Sequence, residues 1–267
     1  MDEYEYNLVV TNPLREPVIR AAIQALQLPL GSRGLDAGCG VGFQALLLAE
    51  TVGEAGHVTG LDLAPETLVH AERVAAEAGL VDRISFKEGN INDLPFENDT
   101  FDWAWSMDCV GYLPLDPAPM LQELARVVRP GGRVAILAWS SEQLLPGYPI
   151  LEARLKATSM GIAPFVKGKK PEHHFLRALG SFRAAGYKEL TSQTFAGDAY
   201  APLSDDIRNG LEAILQMRWP GAEVELSEAD WIEYQRLCQP DSEYYVLDRP
   251  DYYAFYTYTM FSGLAAE

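Results

Sequence analysis

Histidine and cysteine are scarce in this chain, with four and three in 267 residues. The histidines form no HExxH or other metal-ligand spacing. The cysteines (Cys39, Cys109, Cys238) are odd in number, widely spaced and without a CxxC pair. No metal site and no disulfide framework is expected, and the thiols read as reduced, which points to the cytoplasm. Basic residues are also in deficit: Lys+Arg is 21 against 38 for Asp+Glu, a formal charge of −17. Such a field repels phosphate backbones and anionic lipid surfaces, so neither nucleic acid nor a membrane is expected as a partner. Lys167, Lys169 and Lys170 make the only dense run of positive charge. No apolar run approaches the length of a membrane span, and the opening MDEYEYN is acidic where a signal peptide would be basic. Internal repeats and low-complexity tracts are missing too, and nothing specifies an oligomeric state.

What is present is an ordinary soluble composition, 48% hydrophobic and 22% charged, long enough for one large α/β domain with an insertion. The first half alternates strand and helix patterns at the rhythm of βαβ units. Strands are expected at 33–38, 57–62, 83–89, 100–106 and 131–139, with helices at about 41–52, from Pro65 to a stop at Gly79, and at about 116–128. After Trp139 the rhythm breaks, then resumes with a helix near 174–185 and a strand near 188–195. Residues 204–250 read as two further helices and a loop, an insertion before a final aromatic strand at 251–261. The domain reading is a core of 1–203 and 251–267, with 204–250 as a helical insertion expected to serve as a substrate lid. Aromatics in both the insertion and the last strand read mainly as packing residues.

In an open parallel sheet, ligands bind beyond the carboxyl ends of the strands where the strand order reverses. The informative residues fall at those ends. GLDAGCGVGFQ (34–44) carries Asp36 and three closely spaced glycines after strand one, Asp62 ends strand two, Asn90 follows strand three and Ser106–Cys109 follow strand four. GxGxG is a tight turn that brings a ligand to backbone at a helix start, and it differs from the GxGxxG of dinucleotide folds. Asp62 is placed to accept hydrogen bonds from two ribose hydroxyls.

LDAGCGVG, LDLAPETL, GNINDLPFENDTFDWAWS and LARVVRPGGRVAIL together resemble successive motifs of the class I S-adenosylmethionine-dependent methyltransferases. The likeness is to the small-molecule branch that includes the ubiquinone/menaquinone-biosynthesis enzymes, and it covers residues 30–140. It implies a Rossmann-like, seven-stranded, mostly parallel sheet with helices on both faces and an antiparallel last strand. It also implies S-adenosyl-L-methionine as cofactor, with S-adenosyl-L-homocysteine as product. By position, Asp36 with Gly38, Cys39 and Gly40 would hold the methionine part and Asp62 the ribose. Leu63 would pack on the adenine, Asn90 would accept from its amino group, Ile91 would line its pocket, and Ser106 would present backbone to the methionine amino group. Asn90 stands where the family usually has Asp.

Methyl transfer from a sulfonium needs alignment and desolvation, with a general base only for an acceptor that carries a proton. The expected reaction is in-line transfer to a small organic acceptor, with Asp108 and Tyr112 as acceptor-side candidates beyond strand four. Asp108 would position or deprotonate the acceptor, against a plain role as a cap or ion pair. Tyr4 and Tyr6 would join them if the N-terminal segment folds over the cofactor. The alternatives are an NAD-dependent oxidoreductase on the same fold and a non-catalytic cofactor-binding protein.

Overall fold

In a computed structural model, residues 3–112, 116–162 and 170–266 are described; Lys167 and Lys169 of the basic run lie outside them. The order of elements is α1 (Glu3–Ala25), β1 (Arg33–Ala37), α2 (Phe43–Val52), β2 (His57–Asp62), α3 (Pro65–Glu77), β3 (Ile84–Glu88), β4 (Phe101–Met107), α4 (Ala118–Val127), β5 (Val128–Gln143), α5 (Pro149–Lys156), α6 (Ala178–Ala184), β6 (Lys188–Tyr200), α7 (Asp205–Arg218), α8 (Glu228–Cys238) and β7 (Tyr253–Leu264). One seven-stranded sheet runs β3-β2-β1-β4-β5-β7-β6. β1 pairs in parallel with β2 and β4, β2 with β3, and β4 with β5. The last strand is antiparallel: Gly131 and Ala265 bond at one end of the β5–β7 pair, and Ser140 and Thr257 at the other. The strand order reverses between β1 and β4, which is where α/β folds open a crevice.

Pattern and structure agree through the βαβ half, down to Pro65 as the first residue of α3. Beyond strands that run on past their expected ends, β5 to Gln143 and β6 to Tyr200, three places differ. No periodicity points to an element before Arg33, yet α1 runs 23 residues through Pro13 and Pro17. β5 starts at Val128, because RPGG is looped out of the ladder as a bulge: Phe101 pairs with Val128 while Trp103 pairs with Arg133. The helix expected near 174–185 is shortened to α6, because His174 is extended and its Nδ1 accepts the Leu176 amide at 3.2 Å.

The chain divides into two compact units. One comprises 18–139, 169–195 and 258–267 and holds β1–β4 with the first part of β5. Its centre is apolar, with Trp103, Trp105, Phe182 and Tyr258 fully buried. The approach of Trp103 to β1 requires glycine there, since a Cβ on Gly34 would lie 2.1 Å from its ring. The other unit comprises 1–17, 140–168 and 196–257, so the expected insertion at 204–250 lies wholly inside it. There the aromatics pack on each other: Trp219 meets Tyr234 edge-on at 6.0 Å, Trp231 stacks on Tyr234 at 5.1 Å, and Trp219, Tyr234 and Tyr245 are buried. Glu152 is the polar hub of this unit. Fully buried, it accepts the amides of Leu144 at 2.8 Å and Leu145 at 3.0 Å, the Gln143 amide group, and Lys156 Nζ at 3.0 Å. β7 alternates at its start, with Tyr253 and Phe255 exposed, and is covered on both faces only from Tyr258.

Candidate active site

β1, β2 and β4 bring their carboxyl ends together at the switch point. Asp36 pairs with Gly60 of β2 and Trp105 of β4, which places it between two neighbours in mid-sheet. It is 1% exposed, and neither carboxylate oxygen receives a hydrogen bond from any described residue. Burial, and second the nearby Asp62 carboxylate, push its pKa up to about 8. An unpartnered buried carboxylate disfavours folding, so its place in the sheet points to a ligand that completes it.

The turn after β1 is closed on itself. Gly38 sits at φ +80°, and its amide and that of Cys39 both donate to the Leu61 carbonyl, at 2.7 and 3.0 Å. The Gly40 amide donates to Asp62 Oδ2 at 2.8 Å. With these three amides spent, what the residues have left to offer a ligand is acceptors, which suits an ammonium better than a carboxylate. The third glycine packs α2 against α3: a Cβ on Gly42 would lie 2.8 Å from that of Ala71. Cys39 is buried, and burial holds its thiol far above the usual range.

Asp62 is oriented before any ligand arrives, Oδ2 by Gly40 and Oδ1 by the Ala64 amide at 3.1 Å. Leu63, next to it, is 66% exposed, an apolar side chain standing in water at the mouth of the site. Ile91 is buried in the hydrophobic cluster. Asn90 is exposed, and its side-chain oxygen accepts from the Asn92 amide at 2.9 Å and from Asn92 Nδ2 at 3.1 Å. An adenine amino group would have to displace one of these donors. The spacing NIN carries that signal, because an Asn so often bonds the backbone two residues on. Ser106 is buried, and its hydroxyl lies beside the Cys109 thiol. Cys109 closes the floor beneath Gly38, where a Cβ would meet its Cβ and Sγ at 3.0 Å.

Beyond β4, Asp108 adopts a left-handed backbone (φ +48°), and its Oδ1 accepts the Trp139 amide at 3.0 Å, joining the tips of β4 and β5. Tyr112 packs against the hydrophobic cluster. His173 lies 3.8 Å from Asp116. Tyr4 and Tyr6 are exposed on α1.

Comparison with known proteins gives this geometry its family. A methyltransferase-domain family matches residues 35–132, a span that holds every cofactor-side residue named above. A demethylmenaquinone methyltransferase of Shouchella clausii is 31% identical over 192 residues, covering 67% of this chain and 80% of that one. The chain belongs to the class I S-adenosylmethionine-dependent methyltransferases. A probable tocopherol O-methyltransferase of Oryza sativa subsp. japonica is 37% identical over 112 residues, 42% of this chain and 30% of that protein. The chain thus spans about a third of the length of the first curated relatives it matches. A SAM-dependent methyltransferase from Aquifex aeolicus shares the fold, with a TM-score of 0.52 and 22% identity over 70% of this chain and 89% of that one. The residues present fit the family's cofactor: an orphaned buried carboxylate, a carboxylate pre-aimed by two amides, and an exposed leucine beside it.

Proposed function

We propose that this methyltransferase-family chain transfers a methyl group to a small organic acceptor. The observation that carries the reading is the pair of carboxylates at adjoining strand ends, Asp36 buried without a partner and Asp62 held by the Gly40 and Ala64 amides. When bound, S-adenosyl-L-methionine supplies an electrophilic methyl carbon on a sulfonium. The chain's part is to bind, orient and exclude water. Asp62 has lone pairs left for two ribose hydroxyls, and a 2′-phosphate would be repelled there, so a free ribose is selected. Leu63 and Ile91 offer apolar surface to the adenine, with Asn90 as acceptor at its edge. Asp36, Gly38, Cys39, Gly40 and Ser106 enclose the amino-acid end.

On the acceptor side we assign Asp108 and Tyr112. Asp108 is anchored through Oδ1 to the Trp139 amide, and a carboxylate so anchored is better suited to orienting an acceptor than to roaming as a base. The names of the tocopherol and demethylmenaquinone relatives support a small organic acceptor, and the 204–250 segment is our candidate for a substrate lid. Labelled methyl transfer from S-adenosyl-L-methionine into a small-molecule extract tests the reading. Label appearing in a low-molecular-weight product supports it. Uptake of S-adenosyl-L-homocysteine without turnover across a broad acceptor screen would favour a non-catalytic binder, and uptake of NADH instead would favour an oxidoreductase.

A further inference from the structure

Asp36 is buried with neither oxygen hydrogen-bonded to a described residue, and its neighbours are a second carboxylate and two thiols. Asp62 faces it from the end of β2, the Cys39 thiol from the glycine turn, and the Cys109 thiol from the segment after β4. The nearby amides are committed elsewhere, those of Gly38 and Cys39 to the Leu61 carbonyl and that of Gly40 to Asp62. A buried carboxylate in this setting keeps a proton until a cation arrives to replace it.

We propose that Asp36 is a neutral carboxylic acid in the ligand-free protein near pH 7. It ionises when the primary ammonium of the cofactor's amino-acid end enters, so that ligand uptake expels one proton to solvent. The proposal rests on the site's reading as one for S-adenosylmethionine, and adds to it a proton that binding must displace. Its balance is simple: the Asp36 O–H breaks, the proton goes to the buffer, and the carboxylate left behind pairs with the ammonium. Affinity then falls as pH is lowered below about 8, by up to about tenfold per unit, because the proton must first be removed. Cys109 is pushed up to about 11 and Cys39 higher still by burial, so neither thiol exchanges a proton between pH 6 and 8.

Calorimetry with S-adenosyl-L-homocysteine at pH 7 in phosphate and in Tris tests this, because the two buffers differ widely in ionisation enthalpy. A difference in observed heat equal to about 0.9 proton released per ligand is expected for the wild type, as an acid titrating near pH 8 is still about nine-tenths protonated at pH 7. Asp36→Asn should bring the release near zero. 5′-Methylthioadenosine, which lacks the amino-acid end, should bind the wild type with no release, and this arm stands even if the variant fails to fold. Tight binding with buffer-independent heat and a flat affinity from pH 6 to 8 would overturn the proposal while leaving the cofactor reading intact. No uptake of S-adenosyl-L-homocysteine by folded protein would overturn both.

Discussion

Asp36 shows what a binding site asks of one residue. Its raised pKa means the folded chain holds a proton that the unfolded chain releases above the ordinary value of 3.8. The folded state is therefore favoured at low pH, and that advantage drains away as pH rises from about 4 to about 8. Replacing Asp36 by Asn removes the titration, so the variant's melting temperature without ligand should exceed the wild type's, by a margin that widens between pH 5 and pH 8. Equal margins at both ends would show that the carboxyl is already paired. Asp62 predicts the opposite trade. Its two oxygens are aimed by Gly40 and Ala64, so Asp62→Ala should leave these amides unpaired and remove the ribose acceptors together. Charged hydrogen bonds of this kind are worth ~1.5–3 kcal/mol each, so S-adenosyl-L-homocysteine affinity should fall at least about tenfold, as read by calorimetry.

At the scale of elements, close approach and buried charge decide stability. Gly34 on β1 leaves room for the Trp103 ring on β4, whose indole N–H donates to Ser32 Oγ at 2.8 Å. Gly34→Ala should push these strands apart and lower stability by ~1–3 kcal/mol in urea titrations, with a drop in affinity for cofactor product because both strands carry the site. In the second unit, Glu152→Ala leaves two buried amides unpaired, while Lys156 keeps the Glu142 carbonyl, and a loss of ~1–3 kcal/mol for each stranded amide is expected by the same titration. These elements also show what the sequence makes legible. The four strand ends could be read because each is marked locally, by a glycine turn, an acid or an Asn after an apolar run. α1 could not, because Pro13 and Pro17 interrupt it midway; its apolar seam (Leu14, Val18, Ile19, Ala22, Ile23) begins only within the proline-bearing stretch. The contact of Asp108 with the Trp139 amide is set by how the tips of two strands meet, which no spacing encodes. The packing role of Trp219 and Tyr234 was legible, since an amphipathic helix needs large apolar residues on one face.

For the whole molecule, the charge of −17 acts on every ligand that approaches. Labelled duplex DNA should give no mobility shift even at 50 mM salt, where counterion release would favour binding most. Among the described residues no helix is long and apolar enough to cross a membrane, and none of their His, Cys, Asp and Glu side chains cluster to hold a metal. Ligand binding at the proposed site, the switch point of the sheet, should be visible in global unfolding. A ligand that binds only the folded state, at 100 times its Kd, stabilises by ~2.7 kcal/mol. For a chain of this length each kcal/mol raises the midpoint by roughly 2–4 °C, so saturating S-adenosyl-L-homocysteine should raise Tm by about 5–10 °C. NADH at the same concentration should leave it unchanged, because the GxGxG turn spends the Gly38, Cys39 and Gly40 amides internally and none of these three is left for a pyrophosphate. A larger shift with NADH than with S-adenosyl-L-homocysteine would mean that the paired carboxylates do not select the ligand, and the assignment of Asp36 and Asp62 would fall with it.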